Sequence, residues 1–120
     1  MAENRKDLRH SKRLRAVIIV DEGGTQSRTH GKTQDISASG TSIISEYNLS
    51  SPHPITVCLL LHPGDRVNPP VIFEAKSKIA SSVLSSQQGG FRIGVEFVGV
   101  AGDGARLLQK FLSASLATTG

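Results

Sequence analysis

The feature of this sequence that most constrains its fold is a series of short apolar or alternating segments, each ended by turn-forming residues. β-Branched runs and a period of two between apolar positions are typical of β-strands. The predicted strands are residues 13–20, 28–34, 41–45, 55–62, 71–84 (with a second stretch beginning at Ile79) and 91–98. Since no helical segment separates them, we expect an antiparallel sheet, and closure into a small barrel is the economical way to remove its edges.

A helix is predicted only at the C-terminus. Asp103 is suited to the N-cap position, and helical spacing relates the apolar residues that follow it, Leu107, Leu108, Phe111, Leu112 and Leu116. This amphipathic helix, at about 103–116, would plug or flank the barrel. The predicted fold class is therefore all-β, a six-stranded antiparallel barrel with a C-terminal amphipathic helix.

Length and composition fit one soluble domain. The chain has 120 residues, of which 38% are hydrophobic and 20% are charged. Its longest apolar segment, Ile55–Leu61, is far shorter than the ~20 residues of a membrane-spanning helix. The N-terminus lacks the apolar segment of a secretory signal, and a single cysteine cannot form an internal disulfide. These features predict a cytoplasmic protein without a membrane span.

The excess positive charge lies entirely in the first fifteen residues. They hold six cations and two acids, a net charge of +4, whereas the other 105 residues hold eight of each. Residues 1–12 also lack apolar periodicity, so they predict a flexible basic arm, mobile without ligand, before a domain at 13–118 that carries no net charge from residue 16 onward. A basic arm on a neutral domain suits a compact anionic ligand held between the two, or a loose electrostatic tail.

Catalytic chemistry is not supported by any motif. His10, His30, His53 and His62 do not have the spacing of metal ligands. Cys58 lies within an apolar strand, which favours a buried structural thiol over a nucleophile. No serine stands in a Gly-x-Ser-x-Gly context. We therefore expect a protein that is not an enzyme and that has no metal and no cofactor.

Two short motifs remain, one in the arm and one between two predicted strands. The first is Arg-x-x-x-Arg at Arg9 and Arg13, and the second is Asp-x-Ser-x-x-Gly at Asp35, Ser37 and Gly40. Each is common by itself. At this order and spacing, ahead of a final Phe-Arg-Ile-Gly-Val-Glu-Phe strand and a helix, they resemble the PilZ domain family from about residue 9 to residue 116.

The resemblance implies a bacterial receptor for the second messenger cyclic di-GMP, with a six-stranded antiparallel barrel and a C-terminal helix. Carried over by position, the ligand-binding residues would be Arg9, Arg13, Asp35, Ser37 and Gly40. Auxiliary contacts could come from Arg5, Lys12, Arg15 and Lys78, with Lys76 and Arg92 as further candidates on the barrel. Arg5 also forms an Arg-x-x-x-Arg with Arg9, so both registers stay open; the apolar strand that starts after Arg13 favours the Arg9/Arg13 register.

The chemistry of these residue types suits the dinucleotide. Guanidinium groups bind phosphate oxygens or the O6 and N7 atoms of guanine bidentately. A carboxylate at Asp35 accepts from the N1–H and N2–H₂ donors of guanine, while Ser37 can donate or accept. Gly40 allows the backbone to approach the ligand closely or to adopt a conformation that other residues avoid. The resulting hypothesis is that ligand orders the arm across the barrel. A separate protein partner would then recognise the new surface and so control motility, exopolysaccharide or biofilm formation.

Three alternatives stay open from the sequence. The arm could be a solvated tail and Asp35 to Gly40 an ordinary turn. The chain could be a non-binding member of the family that serves pilus assembly through protein contacts. A small nucleic-acid-binding barrel is disfavoured, because the domain is neutral and aromatic residues make up only 4% of the chain.

Overall fold

The described part of the chain forms six strands and one C-terminal helix. The computed structural model describes residues 8–49, 53–62, 69–87 and 89–119, with side chains described up to residue 114 of the helix. The elements are β1 (Arg15–Glu22), β2 (Thr25–Ile36), β3 (Gly40–Ser45), β4 (Ile55–Leu61), β5 (Val71–Ser85), β6 (Gly90–Val100) and α1 (Gly104–Thr119).

The sheet closes on itself as a barrel. Around the barrel the order is β1-β2-β3-β6-β5-β4, every pairing is antiparallel, and β1 returns to β4 with Ala16 opposite Leu59. Closure leaves these six strands without an unpaired edge. The predicted six-stranded antiparallel barrel with a C-terminal helix is confirmed.

Alternate side chains of the strands form the core. On β4 the inward residues are Ile55, Val57, Leu59 and Leu61, each at most 2% exposed. Phe73 of β5 lies at the centre, with its ring centroid 5.0 Å from that of Phe97 on β6. Successive side chains of a strand point to opposite sides of the sheet. One alternate set therefore packs in the core, and the other set forms the outer face of the barrel.

The helix α1 completes this core from the C-terminal end of the chain. Leu108 and Leu112 are buried in the same cluster as the strands, and Phe111 packs against it. The predicted apolar stripe is confirmed for these residues, and the side chain of Leu116 lies outside the described part. No described helix is long and apolar enough to span a bilayer.

Asp103 lies immediately before α1, as predicted for an N-cap residue, but its side chain pairs with Arg106. The carboxylate accepts hydrogen bonds from the guanidinium of Arg106, including one of 3.1 Å from Nε to Oδ2. These bonds hold the pKa of the Asp103 carboxyl below its usual range. The start of the helix is therefore bordered by an exposed ion pair.

Two strands differ from their predicted extents. β2 runs from Thr25 to Ile36, well beyond the predicted 28–34, because it pairs with β1 along its first half and with β3 along its second. Its polar sequence carries no apolar alternation that could have shown this. β5 is one continuous strand with register shifts at Lys76/Ser77 and Ile79/Ser81, so Ile79 does not begin a separate element.

Cys58 corrects a prediction about burial. It lies on the outer parity of β4, half-buried, between the inward residues Val57 and Leu59. An uninterrupted apolar run does not reveal which parity faces inward, and that is why the thiol was expected inside. Partial burial raises the pKa of the Cys58 thiol; nearby Glu74 raises it further, and Arg28 lowers it. Both charged side chains therefore act on this part of the outer face.

Candidate ligand-binding site

A β-bulge on β2 places the first residue of the second motif on the outer face. Thr33 is buried and faces inward, and the register with β3 then shifts between Thr33 and Asp35. The extra residue, Gln34, resets the alternation, so that Ile36 is the next inward residue and is fully buried. Asp35 consequently lies outside, half-buried, at the end of a strand. Without the bulge its carboxylate would share the inward parity of Thr33.

Ser37 fixes the turn that joins β2 to β3. Its backbone N–H donates to the carbonyl oxygen of Gly40 at 2.8 Å, and its hydroxyl donates to the same oxygen at 3.3 Å. The hydroxyl also accepts from the N–H of Ser39 at 3.3 Å. Ser37 is only 1% exposed. In this structure its hydroxyl therefore serves the turn, which keeps Asp35 and Gly40 at a set separation.

Gly40 is required by the approach of β6 and not by an unusual backbone angle. It is not among the residues with a left-handed backbone. A Cβ on Gly40 would lie 2.3 Å from the backbone oxygen of Val95, which could not move without disturbing the β3–β6 pairing. The special backbone conformation that was one predicted role of Gly40 is absent, and the close approach that the structure shows is to β6; the predicted approach to a ligand stays a prediction.

The arm lies against the end of β2 where the second motif begins. His10 and Ile36 exchange two backbone hydrogen bonds of 2.9 Å each, which form an isolated antiparallel bridge. One residue earlier, Arg9 Nη1 lies 2.7 Å from Asp35 Oδ1, with the two side chains 54% and 27% exposed. The two motifs thus meet through a direct ion pair. The predicted mobility of residues 1–12 without ligand stays a prediction.

Thr33 attaches the arm to the barrel. Its hydroxyl accepts from the N–H of Leu14 at 2.8 Å and donates to the carbonyl oxygen of Lys12. Its own N–H donates to the carbonyl oxygen of Leu14 at 2.9 Å. One buried residue therefore binds three backbone groups of the segment that carries Arg9 and Arg13.

We expect Thr33→Val to destabilise the protein and to loosen the arm. The change removes the hydroxyl and leaves the buried Leu14 N–H without its acceptor, at a cost of roughly 1–3 kcal/mol in the free energy of unfolding. Urea unfolding measures that loss, and amide hydrogen exchange at Leu14 measures the loosening. Thr29→Val, on the same parity of β2 and half-buried, is the matched control. Equal losses in both variants would contradict the role assigned to Thr33.

A cleft of about 350 Å³ opens on the outer face beside the arm. Its floor is formed by small residues that the register aligns across three strands, with Ser42 opposite Gly94 and Gly94 opposite Ser81. A Cβ on Gly94 would lie 2.5 Å from Ser81 Oγ, so a glycine at this position leaves room for the cleft above it. Arg9 and Arg92 contribute positive charge to the lining. A shallow polar floor beside two guanidinium groups is suited to an anion that carries a flat ring.

The remaining lining residues come from the second motif and from β3, β5 and β6. They include Ser37, Ser39, Gly40, Thr41 and Glu96. Thr41 Oγ1 donates to the backbone oxygen of Asp35 at 2.6 Å and so supports the end of β2. Glu96 is paired with Lys78 Nζ at 3.1 Å, an exposed contact that partly neutralises this side of the cleft.

The structure brings together only some of the predicted ligand residues. Arg9, Ser37 and Gly40 line the cleft. Asp35 does not line it but contacts Arg9, which does. Arg13 is exposed and does not line the cleft. Of the auxiliary residues, Arg15 faces outward opposite Lys32 and Lys12 is half-buried in the arm, whereas Arg5 lies outside the described residues.

Ser42, Gly94 and Ser81 were not predicted as site residues. The alternation in residues 91–98 already indicated that Arg92, Gly94 and Glu96 share the outer parity. The glycine between two charged residues of this outward row was the one sequence signal that a depression could lie there. Which serines lie beside Gly94 depends on the pairing of β6 with β3 and β5, and the sequence does not show that register.

The candidate site contains no cluster suited to a metal ion. Among the described residues, no group of three or more His, Cys, Asp or Glu side chains could hold one. The four histidines fall at different places: His10 in the arm, His30 on β2, His53 before β4 and His62 after it.

The fold is a small closed barrel, and the described part of the arm, which begins at Leu8, lies beside a polar cleft on its outer face. The family model of the PilZ domain matches residues 3–114, so the chain belongs to the PilZ domain family, a family of the cyclic di-GMP receptor type. The predicted resemblance to this family is confirmed.

Among solved structures, the Bacillus subtilis inhibitor of motility, MotI/DgrA, resembles this chain with a TM-score of 0.68 at 20% sequence identity. The alignment covers 94% of this chain and 52% of that chain, so the present chain spans about half of its structural neighbour. At this identity the likeness shows the fold alone. A search of curated proteins gave no significant match.

Proposed function

We propose that this chain is a receptor for cyclic di-GMP, without catalytic activity, and that the dinucleotide binds in the cleft beside the arm. One observation carries the proposal: Arg9 and Asp35, from two motifs that are 26 positions apart, are in direct contact at the edge of a polar cleft. Membership of the PilZ family supports the choice of ligand.

The size of the cleft limits what it can hold. Ligand sites in proteins usually occupy roughly 300–1,000 Å³, and this one, at about 350 Å³, is near the lower end of that range. It suits one guanine with its adjoining phosphate. The rest of the dinucleotide would lie on the outer face under the arm, where Arg13 and Lys12 could contact it.

Ligand binding requires the Arg9–Asp35 pair to exchange partners. The Asp35 carboxylate would accept from N1–H and N2–H₂ of a guanine, and the freed Arg9 would donate to a phosphate or to O6 and N7. An ion pair as exposed as this one contributes only about 0–1 kcal/mol, so breaking it costs little. In the free protein the pair keeps both groups at the place where the ligand would need them.

Closure of the arm would couple binding to signalling. Ordering a residue costs roughly 1–2 kcal/mol of backbone entropy, so a ligand with two phosphates is needed to offset the ordering of several residues. The bridge at His10 and the Thr33 contacts already hold the base of the arm on the barrel. A separate protein would recognise the surface that the ligand and the closed arm form together. Control of motility, exopolysaccharide or biofilm formation through that protein is the proposed output.

A calorimetric titration with cyclic di-GMP tests the receptor function. We expect saturable binding, with a stoichiometry of one dinucleotide or of two stacked together, and much weaker binding of cyclic di-AMP, since adenine presents a different edge to Asp35 and Arg9. Arg13→Ala should weaken binding if the part of the dinucleotide outside the cleft lies against Arg13, which is exposed and does not line the cleft.

The opposite result is equally clear. Absence of heat and of any thermal shift with cyclic di-GMP would reject the receptor function and leave the protein-interaction module of the same family. Tight, strongly salt-dependent binding of a single-stranded oligonucleotide, without binding of either cyclic dinucleotide, would instead indicate a nucleic-acid-binding barrel.

A further inference from the structure

A second surface lies on the outer face of β2, β1, β4 and β5, away from the cleft. The pairing registers align its outward side chains in rows across all four strands. From β2 to β5, one row is His30, Val17, Cys58 and Glu74, and the next is Arg28, Ile19, Thr56 and Lys76. A third row begins with Lys32 opposite Arg15 and ends with Leu60 opposite Ile72.

The centre of this face is apolar. We define the outer strip as Val17, Ile19, Cys58, Leu60 and Ile72, of which the first four are half-buried and Ile72 is 64% exposed. The strip spans β1, β4 and β5, a width of about 10 Å, and four residues of strand, a length of about 13 Å. An α-helix is about 10–12 Å in diameter and advances 5.4 Å per turn, so roughly two and a half turns would cover the strip.

Positive charge borders the strip along β2. Arg28, His30 and Lys32 occupy alternate outward positions of that strand, and Arg15 lies opposite Lys32. On the far side stand Glu74 and Lys76. The opposing effects of Arg28 and Glu74 on the pKa of Cys58 show that charges from both borders act at the centre of the strip. Lysines and arginines therefore outnumber carboxylates around an apolar centre.

We propose that this face docks an acidic amphipathic helix of a partner protein. The apolar stripe of that helix lies on the outer strip, and its carboxylates lie beside Arg28, Lys32 and Arg15. Charge complementarity selects the occupant, since oppositely charged borders steer association and fix orientation. A face of this area supports a weak, transient complex, because specific interfaces below about 1,200 Å² belong to that class.

The same features disfavour other occupants. A second copy of this chain, paired about a twofold axis, would bring the β2 cations of both copies to one interface. Single-stranded nucleic acid is usually bound by stacking on aromatic side chains, and the three rows contain no Phe, Tyr or Trp. Half-buried side chains make the strip flat, with only Ile72 projecting, which is poorly suited to insertion among lipid headgroups. The proposal does not depend on cyclic di-GMP binding, and its test is made without the dinucleotide.

A designed peptide pair tests the docking face. The probe is a fluorescein-labelled helical peptide of about 18 residues, with leucines at i, i+3 and i+4 spacing and glutamates along one side. Its control has lysine in place of every glutamate. Fluorescence anisotropy measures the affinity, and ¹⁵N-resolved NMR of the protein locates the perturbed amides. We expect saturable, salt-sensitive binding of the acidic peptide alone, with shifts centred on residues 15–19, 56–60 and 72–76.

Two variants distinguish binding at this face from non-specific binding elsewhere on the protein. Ile72→Asp should weaken peptide binding by about tenfold or more, since it places a charge on the strip, and Arg28→Glu should weaken it similarly by removing a complementary charge. Val98→Asp is the matched control, because Val98 is 68% exposed on the outer face of β6. Far-UV circular dichroism and thermal unfolding verify that all three variants fold.

Several outcomes would overturn the proposal. They are failure of the acidic peptide to bind, equal binding of the lysine peptide, shifts centred on the cleft, and insensitivity to both Ile72→Asp and Arg28→Glu. Vesicles of equal parts phosphatidylcholine and phosphatidylglycerol, and a DNA duplex, are titrated in parallel. Binding of either one that depends on Arg28 or Ile72, without binding of the peptide, would assign the face to a different class of partner.

Discussion

Arg9→Ala is expected to lower the affinity for cyclic di-GMP by at least about 100-fold, since a guanidinium that makes two charge-assisted hydrogen bonds is lost and each contributes roughly 1.5–3 kcal/mol. Arg9 is the arm residue that lines the cleft and contacts Asp35, so its removal affects both motifs. Isothermal titration calorimetry of the variant beside the wild type measures the loss. Arg9→Lys should fall between the two, because an ammonium keeps the charge but not the planar pair of donors.

The matched control for this variant is Arg106→Ala. Arg106 is also an exposed arginine in an ion pair, with Asp103, but it lies at the start of α1. We expect unchanged affinity there. Similar losses in Arg9→Ala and Arg106→Ala would mean that net charge, and not the geometry at the cleft, governs binding; an unchanged affinity in Arg9→Ala would remove Arg9 from the site.

Asp35→Asn is expected to weaken cyclic di-GMP binding by about 30-fold and to reduce discrimination against cyclic di-AMP. The amide replaces a two-oxygen acceptor by one acceptor and one donor, so one of the two guanine donors loses its partner, at a cost of about 2 kcal/mol. Stability should change by less than about 1 kcal/mol, because the Arg9–Asp35 pair is exposed. Calorimetry gives the first quantity and urea unfolding gives the second.

Asp103→Asn provides the corresponding control, since Asp103 is also an exposed carboxylate that accepts from an arginine. It should leave the affinity for the dinucleotide unchanged. A loss of stability in Asp35→Asn comparable to its loss of binding would show that the carboxylate acts on the fold of the β2 end. An increased affinity would show that the Arg9–Asp35 pair competes with the ligand more strongly than Asp35 supports it.

The strands with a clear apolar alternation were predictable, and the polar ones were less so. Residues 91–98 form a strand with Ile93 and Val95 buried, as the alternation indicated. β2 extends well beyond its predicted ends because pairing with two neighbours stabilises backbone that its own side chains do not specify. Cys58 shows a second limit of prediction from sequence. A wholly apolar run indicates that a strand exists but does not indicate which of its sides faces the core.

The candidate site was predictable in its residue types but not in its arrangement. The spacing of Asp35, Ser37 and Gly40 indicated a turn between two strands, and the structure has its turn at residues 37–39. The family resemblance implied only that both motifs would contact one ligand, and the direct pair of Arg9 with Asp35 was not foreseen. The floor of Ser42, Gly94 and Ser81 depends on pairings between three strands and was not foreseen.

The fold class, the position of the helix and the segregation of charge into the arm were predictable from the sequence alone, because each depends on local periodicity or composition. Which side chains share the outer face at a given place depends instead on tertiary contacts. The bulge at Gln34 reverses the alternation of β2 and places Asp35 outside, and the register of β3, β6 and β5 aligns the floor of the cleft. A bulge or a register is selected by contacts between residues distant in the chain, and the energies of those contacts are absent from any local pattern.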